Sequence, residues 1–339
     1  MHNKTKTQLR VVALLKNDVL YVLEQQKGSL VKGGRLASSL GVSRTAVWKA
    51  VRALREDGNE IISVPNSGYR LMATNDTLFE RIVRDHLTTT FIGQNMTVLP
   101  TVNSTNQYLK EKTDAPNGFV VIANEQTNGR GRRSRTFLSP KGEGVFLSIL
   151  LKLDGRQNDV CLLTICAAVA VSAAIEKVCG IKADIKWVND IFCDGKKICG
   201  ILTEAIISGE LRELSTVIVG IGINTGNVPI EISDIATSVR ETAGIRGVRN
   251  RLAAEVLNQF ETTYLDYTNR GKQHSIIKSY ESKLFIKGKQ VYVTNMDQSY
   301  PATVLGIDET GALIVKDNSG DIQHISTGEI NLHWNNEIW

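Results

Sequence analysis

The sequence lacks a C-x-x-C pair, and its five cysteines (Cys161, Cys166, Cys179, Cys193 and Cys199) are odd in number. That excludes a fully paired set of disulfides and argues against a cysteine zinc site, and it favours buried or reduced thiols. The sequence also lacks an uninterrupted apolar run near the roughly 18 residues that cross a bilayer. Its start, Met-His-Asn-Lys-Thr-Lys, leads into no signal-peptide pattern. No membrane partner and a cytoplasmic location are therefore expected. What remains is ordinary globular composition: 339 residues, 42% hydrophobic and 22% charged, long enough for two or three domains with persistent cores.

Charge is unevenly spread. Residues 1–56 carry 11 Lys/Arg against 3 Asp/Glu, a local +8, which leaves −3 of the chain's +5 for the remainder. A compact basic block ahead of a nearly neutral one points to a polyanionic partner, although a solvated face has the same composition. Val19, Leu20, Val22 and Leu23 predict a short helix over 17–26, capped by Asn17 or Asp18. A second helix is expected near 32–40, stopping at Gly41. Ser43 then reads as the N-cap of a third helix over 44–55, whose Val47, Ala50, Val51 and Leu54 form one buried stripe. Arg44, Thr45, Trp48, Lys49 and Arg52 fall elsewhere on it and, with Ser43, are the candidate DNA contacts. Strands at 61–64 and 69–71 around Pro65-Asn66-Ser67-Gly68 complete a winged helix-turn-helix. A helical protein-interaction module with solvated basic residues is the competing reading.

Beyond residue 75 helices alternate with β-rich runs, at 97–100, 119–124, 144–153, 183–187, 198–205 and 215–224. Between two of them lies Glu125-Gln126-Thr127-Asn128-Gly129-Arg130-Gly131-Arg132-Arg133-Ser134-Arg135. Arginines donate bidentate bonds to phosphate or carboxylate, and glycine lets main-chain N–H groups approach an anion, so this loop is expected to close over one. An RNA-binding arginine–glycine tract is the rival, but such tracts repeat in tails, whereas this one is single and bracketed by strands. Lys186-Trp187-Val188-Asn189-Asp190 ends a strand, and Asp194-Gly195-Lys196-Lys197-Ile198-Cys199-Gly200 follows; strand ends gather ligand chemistry. Gly220-Ile221-Gly222-Ile223-Asn224-Thr225-Gly226 imitates a dinucleotide fingerprint, but its spacing is wrong and Asn227 onward starts no helix.

Ser104-Thr105-Asn106, 126–135, Lys186-Trp187-x-Asn189-Asp190, Lys197-Ile198-x-Gly200-Ile201 and 220–224 occur in the order found in biotin protein ligases, which the chain resembles. With the basic domain in front it resembles the bifunctional biotin operon repressor subclass. Ser134 stands where that family commonly has a third glycine, and Val188 where it has proline. The resemblance implies an α+β multidomain chain: an extension of unknown role (1–16), a winged helix-turn-helix (17–75), a catalytic domain with a mixed sheet similar to class II synthetases (76–284), and a small SH3-like β-barrel (285–339). It implies a biotin–[acetyl-CoA-carboxylase] ligase that makes biotinyl-AMP from biotin and Mg²⁺-ATP and passes biotin to a lysine of a biotin carboxyl carrier protein. It also implies a repressor that binds operator DNA as a homodimer favoured by biotinyl-AMP. Lys197, Asp190, Arg132 and Lys186 would be catalytic. Ser104, Thr105, Asn106, Gln126, Arg130, Gly131, Arg132, Lys197 and Gly200 would hold biotin, and Arg130, Arg132, Arg135, Trp187, Asn189 and Asn224 the nucleotide. A lipoate or octanoate transferase and a catalytically silent ligand-sensing repressor are the alternatives.

Overall fold

The structure is a computed structural model describing residues 2–112, 114–153, 159–208, 213–269, 272–295, 298–326, 329–334 and 337–338. Two compact units divide the chain: residues 1–85 with 246–250, and 86–245 with 251–339.

The first unit holds α1 (His2–Gln25), β1 (Leu30–Val31), α2 (Gly33–Ser39), α3 (Arg44–Glu56), β2 (Ile61–Val64), β3 (Gly68–Leu71) and α4 (Glu80–Asp85). Its sheet runs β1-β3-β2, antiparallel throughout. The expected helix-turn-helix and wing are present. Ser43 caps α3 by accepting from the Ala46 N–H at 3.1 Å, and Val47, Ala50, Val51 and Leu54 are all buried. Gly41 has φ +63°, the left-handed turn between α2 and α3. Two expectations change. Helix α1 starts at His2 rather than at a cap on Asn17 or Asp18, so the backbone is already helical ahead of residue 17. The unit also reaches past residue 75. Asp76 accepts the Arg249 N–H at 2.8 Å, the Asp76 carbonyl accepts from its guanidinium at 3.0 Å, and the Phe79 N–H donates to Asn250 at 2.8 Å. Arg81 lies 3.4 Å over the Tyr21 ring and pairs with Asp18.

In the second unit β4 (Met96–Leu99), α5 (Thr105–Glu111), β5 (Val120–Ala123), β6 (Gly144–Lys152), α6 (Val160–Cys179), β7 (Asp184–Lys186), β8 (Asp190–Cys193), β9 (Lys196–Ser208) and β10 (Glu213–Asn224) build a sheet of order β4-β5-β6-β10-β9-β8-β7. It is mixed: β4 and β5 are parallel and the remaining pairs antiparallel. Helices α7 (Val239–Ala243), α8 (Arg249–Thr268) and α9 (Gln273–Lys283) follow. Strands β11 (Gln290–Asn295), β12 (Gln298–Ile307), β13 (Leu313–Asp317), β14 (Ile322–Ile325), β15 (Glu329–Trp334) and β16 (Glu337–Ile338) then form an antiparallel sheet where the small barrel is expected. Strands β1 and β16, of two residues each, are too short to carry a periodicity that can be read from sequence.

Helix α6 corrects the hydropathy reading. By length and composition it could cross a membrane, yet 67% of its most apolar window is buried inside the protein. It is a core helix, capped by Asp159, which accepts the N–H groups of Cys161 and Leu162, and stopped by Gly180 at φ +67°. Its polar interruptions are satisfied: Thr164 donates to Val160 O and Ser172 to Ala183 O. The five cysteines are free thiols. Burial pushes Cys161 and Cys193 up to about 12 and raises Cys166 and Cys199 as well, so none of these four is a thiolate near neutral pH.

Glu261 of α8, 5% exposed, holds the segment before β4. It accepts the main-chain N–H groups of Thr90, Phe91 and Ile92 and the Thr90 hydroxyl. Burial raises its pKa, but those donors together outweigh burial and hold it below the usual carboxylate range. A depressed folded value adds stability above the unfolded value of about 4.3, lost as pH falls through the folded one. Glu261→Gln should therefore cost about 1–3 kcal/mol at pH 7, and the gap should narrow in urea unfolding repeated below pH 4. An equal gap at both pH values would show that the charge is irrelevant.

Candidate active site

A cavity of about 800 Å³ opens over the mixed sheet. Ser104, Thr105, Asn106, Gln126, Arg130, Gly131, Arg132, Arg135, Lys186, Trp187, Asn189, Asp190, Lys197, Gly200 and Asn224 all line it. Residues separated by more than a hundred positions in the chain thus converge on one volume.

One end is neutral. Gln126 accepts the Thr105 N–H at 2.9 Å and donates to Ser139 at 2.9 Å. Asn106 donates to Leu202 O and to Glu204, so both its N–H groups are consumed within the protein. The arginine stretch is a hairpin: the Gly131 N–H meets Arg135 O at 2.7 Å and the Phe137 N–H meets Gly129 O at 2.9 Å. Its tip, Arg132–Ser134, is a 3-10 turn in which Arg133 and Ser134 have φ of +51° and +60°. A side chain in that left-handed region costs roughly 1–2 kcal/mol, which glycine avoids, so Ser134 strains the turn. Arg132 reaches across to Asn189 at 3.2 Å.

The other end is charged. Asp190 begins β8, and the hairpin to β9 brings Lys197 Nζ within 2.7 Å of its carboxylate. Lys186 pairs across β7–β8 with Asp190, its ammonium 5.6 Å over the Phe192 ring. Asn189 donates to Ile201 O at 2.8 Å and Asn224 to Thr237 O at 3.1 Å. The Trp187 indole N–H donates to Gly311 O at 3.0 Å, and Tyr280 donates to Val188 O at 3.2 Å; burial raises the Tyr280 pKa well above its ordinary value, so the phenol remains a donor. Among the described residues no three acidic, His or Cys side chains gather to hold a metal.

Sequence reasoning missed Phe137, Phe192 and Ile235, and singled out 220–224 without giving Gly220 or Gly222 a site role; all five also line the cavity. The glycines make room. A Cβ on Gly220 would stand 2.2 Å from Asn106 Oδ1, and one on Gly222 2.5 Å from the Phe137 ring. Their spacing of two on a strand, one face of the sheet, was the available signal. As expected, no helix follows directly: β10 ends at Asn224 and a 3-10 turn, Ile230–Ile232, comes next.

The Biotin/lipoate A/B protein ligase family matches residues 98–224, an HTH domain 16–70, and the Biotin protein ligase C terminal domain 287–332. The bifunctional ligase/repressor BirA of Bacillus subtilis is 37% identical over 324 residues, covering 94% of this chain and 98% of its own. The chain belongs to the bifunctional biotin protein ligase/repressor family. This ligase is also 29% identical over 335 residues to the bifunctional ligase/repressor BirA of Escherichia coli K12, 96% of each chain. The solved biotin protein ligase of Aquifex aeolicus in complex with biotin and ATP matches with a TM-score of 0.62 at 29% identity, over 70% of this ligase and 97% of that chain. In the first unit, the candidate DNA contacts Ser43, Arg44, Thr45, Trp48, Lys49 and Arg52 are all exposed, Trp48 at 52%, so its indole is not core.

Proposed function

We propose that this ligase condenses biotin with ATP in the cavity and transfers the biotinyl group to a lysine of a biotin carboxyl carrier protein, of acetyl-CoA carboxylase or a related enzyme. The observation that carries the reading is the convergence of the arginine hairpin, the Lys197–Asp190 pair and the neutral Thr105–Gln126 pair on one cavity. A biotin carboxylate oxygen attacks the α-phosphorus of ATP, the bond to the bridging oxygen breaks, and pyrophosphate leaves. Two anions must meet, so cations govern the step. Lys197 spans carboxylate and α-phosphate, with Lys186 beside it. Arg130, Arg132 and Arg135 lie along the intermediate, and the hairpin keeps water from the mixed anhydride. Mg²⁺ arrives with the triphosphate as part of the substrate. The acceptor amine then attacks the acyl carbon and AMP leaves; Asp190 takes or orients the amine's proton. Ser104, Thr105 and Gln126 read the ureido ring, with Asn106 behind them and Gly131 and Gly200 giving close main-chain approach. Trp187, Asn189 and Asn224 border the nucleotide.

Pyrophosphate release by the full chain with ATP tests the reading. Biotin should support it. Release with lipoate in its place, or with neither, overturns the assignment.

The first unit makes the same chain a cytoplasmic repressor of biotin genes. A single winged helix reads a short half-site, and a homodimer spans two. If biotinyl-AMP favours the dimer, linkage makes it a corepressor, for which the acceptor protein competes. Operator binding should tighten at least tenfold with ATP plus biotin and weaken when excess acceptor is added. Lys49→Ala and Arg52→Ala should lower operator affinity, as read by fluorescence anisotropy, without altering ligation; Arg52 gives up only an exposed pair with Glu56. Equal operator binding with and without ligand would leave two unlinked activities.

A further inference from the structure

Ser148, Gly220 and Leu202 lie side by side across β6, β10 and β9. Asn106 descends onto this row from the start of α5, in the space that Gly220 leaves. Its amide nitrogen donates to Leu202 O at 3.2 Å and Glu204 Oε2 at 2.8 Å, both of which accept. The other Glu204 oxygen takes the Lys110 ammonium at 2.7 Å. These partners fix which way the Asn106 amide points. Its oxygen faces the fully buried Ser148 hydroxyl at 2.5 Å. An amide oxygen cannot donate, so that contact uses the Ser148 proton.

Ser148 Oγ is also 2.7 Å from Thr105 Oγ1. Two hydroxyl oxygens at this distance need a proton between them, and Ser148 has none left. The proton is Thr105's. The Thr105 hydroxyl has a second acceptor within reach, Gln126 Oε1 at 3.1 Å, which also accepts the Thr105 main-chain N–H at 2.9 Å; the closer Ser148 oxygen, at 2.7 Å with its own proton spent on Asn106, takes the Thr105 proton. The Gln126 amide is oriented by its own bond to Ser139, whose proton goes to Phe137 O. Thr105 and Gln126 both line the cavity.

We infer that Ser148, held through Asn106 by Glu204, is a positioning residue that fixes the Thr105 proton inward, so that Thr105 and Gln126 present two acceptor oxygens and select a ligand offering N–H at that point. The inference rests on the biotin reading and deepens it. A ureido N–H matches the acceptor pair. An oxygen in its place meets lone pairs and leaves the Thr105 oxygen and the second lone pair of Gln126 Oε1 without a donor, the kind of mismatch that buried polar sites reject strongly. Neither Ser148 nor Glu204 is assigned a ligand contact.

The test compares biotin with the cyclic carbamate analogue in which one ureido N–H is replaced by oxygen, using pyrophosphate release by the full chain. In Ser148→Ala the Thr105 proton is free to turn to Gln126. The KM for biotin should rise about tenfold, and the preference for biotin over the carbamate should shrink by about tenfold or more. The KM for ATP and kcat with biotin should stay within about twofold. Glu204→Gln, at a partly exposed carboxylate, supplies a group that donates as well as accepts and no longer fixes the amide. It should shift both quantities in the same direction by a smaller factor, and it carries the test if Ser148→Ala fails to fold. An unchanged preference in a folded variant, or a KM for ATP that rises with that for biotin, overturns the inference. Wild-type protein that does not turn over biotin overturns the biotin reading and the inference together, an outcome visible before any variant is made.

Discussion

Lys197→Ala should abolish biotin-dependent pyrophosphate release, by about 10³-fold or more, while leaving the fold intact. The side chain adds little to packing, being 34% exposed. Its main chain carries the structural bonds, with N–H to Ile235 O and C=O accepting from Thr237 N–H, and alanine keeps both. On the proposed role, what is lost is the cation between two substrate anions. A preorganised charge-stabilising group of this kind is worth several kcal/mol in the transition state. The substitution also removes the cation 2.7 Å from the Asp190 carboxylate, which adds repulsion toward incoming negative charge to the missing attraction. Activity should thus collapse with a thermal midpoint within a few degrees of wild type. Pyrophosphate release within tenfold of wild type would remove Lys197 from the chemistry.

Gly220→Ala should be nearly as damaging by a different route. The added methyl would lie 2.2 Å from Asn106 Oδ1, in a strand held between β6 and β9. Asn106 is tied to Leu202 and Glu204 and cannot withdraw without breaking both bonds. Either the sheet bends or the start of α5 moves, and Ser104 and Thr105 move with it. Overpacking at such a site costs about 1–3 kcal/mol of stability, and displacing ligand groups by an ångström costs about 10²-fold in turnover. Biotin-dependent turnover should drop by that order, while operator binding by the unliganded chain stays as it was. Wild-type turnover would mean that Asn106 does not govern the biotin end of the cavity.

The sequence was most legible where local rules act alone. The α3 cap, stripe and exposed face follow from the spacing of Ser43, Val47, Ala50 and Leu54, and the wing from Pro65 to Gly68, because caps and turns depend on a few neighbouring residues. The cavity-lining residues were recoverable for another reason: charged and glycine-rich segments have no place in a core, so 126–135 and 186–200 stood out. What stayed hidden depends on distant partners. Nothing local distinguishes Phe137 as a cavity wall, or marks Ser148, buried in the middle of β6, as polar for a purpose. Helix α6 was read against a strict run of apolar residues, although Thr164 and Ser172 interrupt it without lowering its mean hydropathy to that of a surface helix. The boundary near residue 75 was obscured because the partners that draw 76–85 into the first unit, Arg249 and Asn250, lie some 170 residues downstream.

The bond from the Trp187 indole to Gly311 O joins atoms 124 positions apart, and its acceptor belongs to the main chain. An alanine scan of residues 285–339 would pass over it, since a carbonyl survives every side-chain truncation. Gly311 itself is the exception. It has φ +82°, and a Cβ there would stand 2.4 Å from the Ile165 side chain. If Trp187 borders the nucleotide as proposed, a genetic screen for nucleotide defects in this region should return substitutions at a glycine outside the cavity lining, alongside truncations and frameshifts that remove the carbonyl altogether.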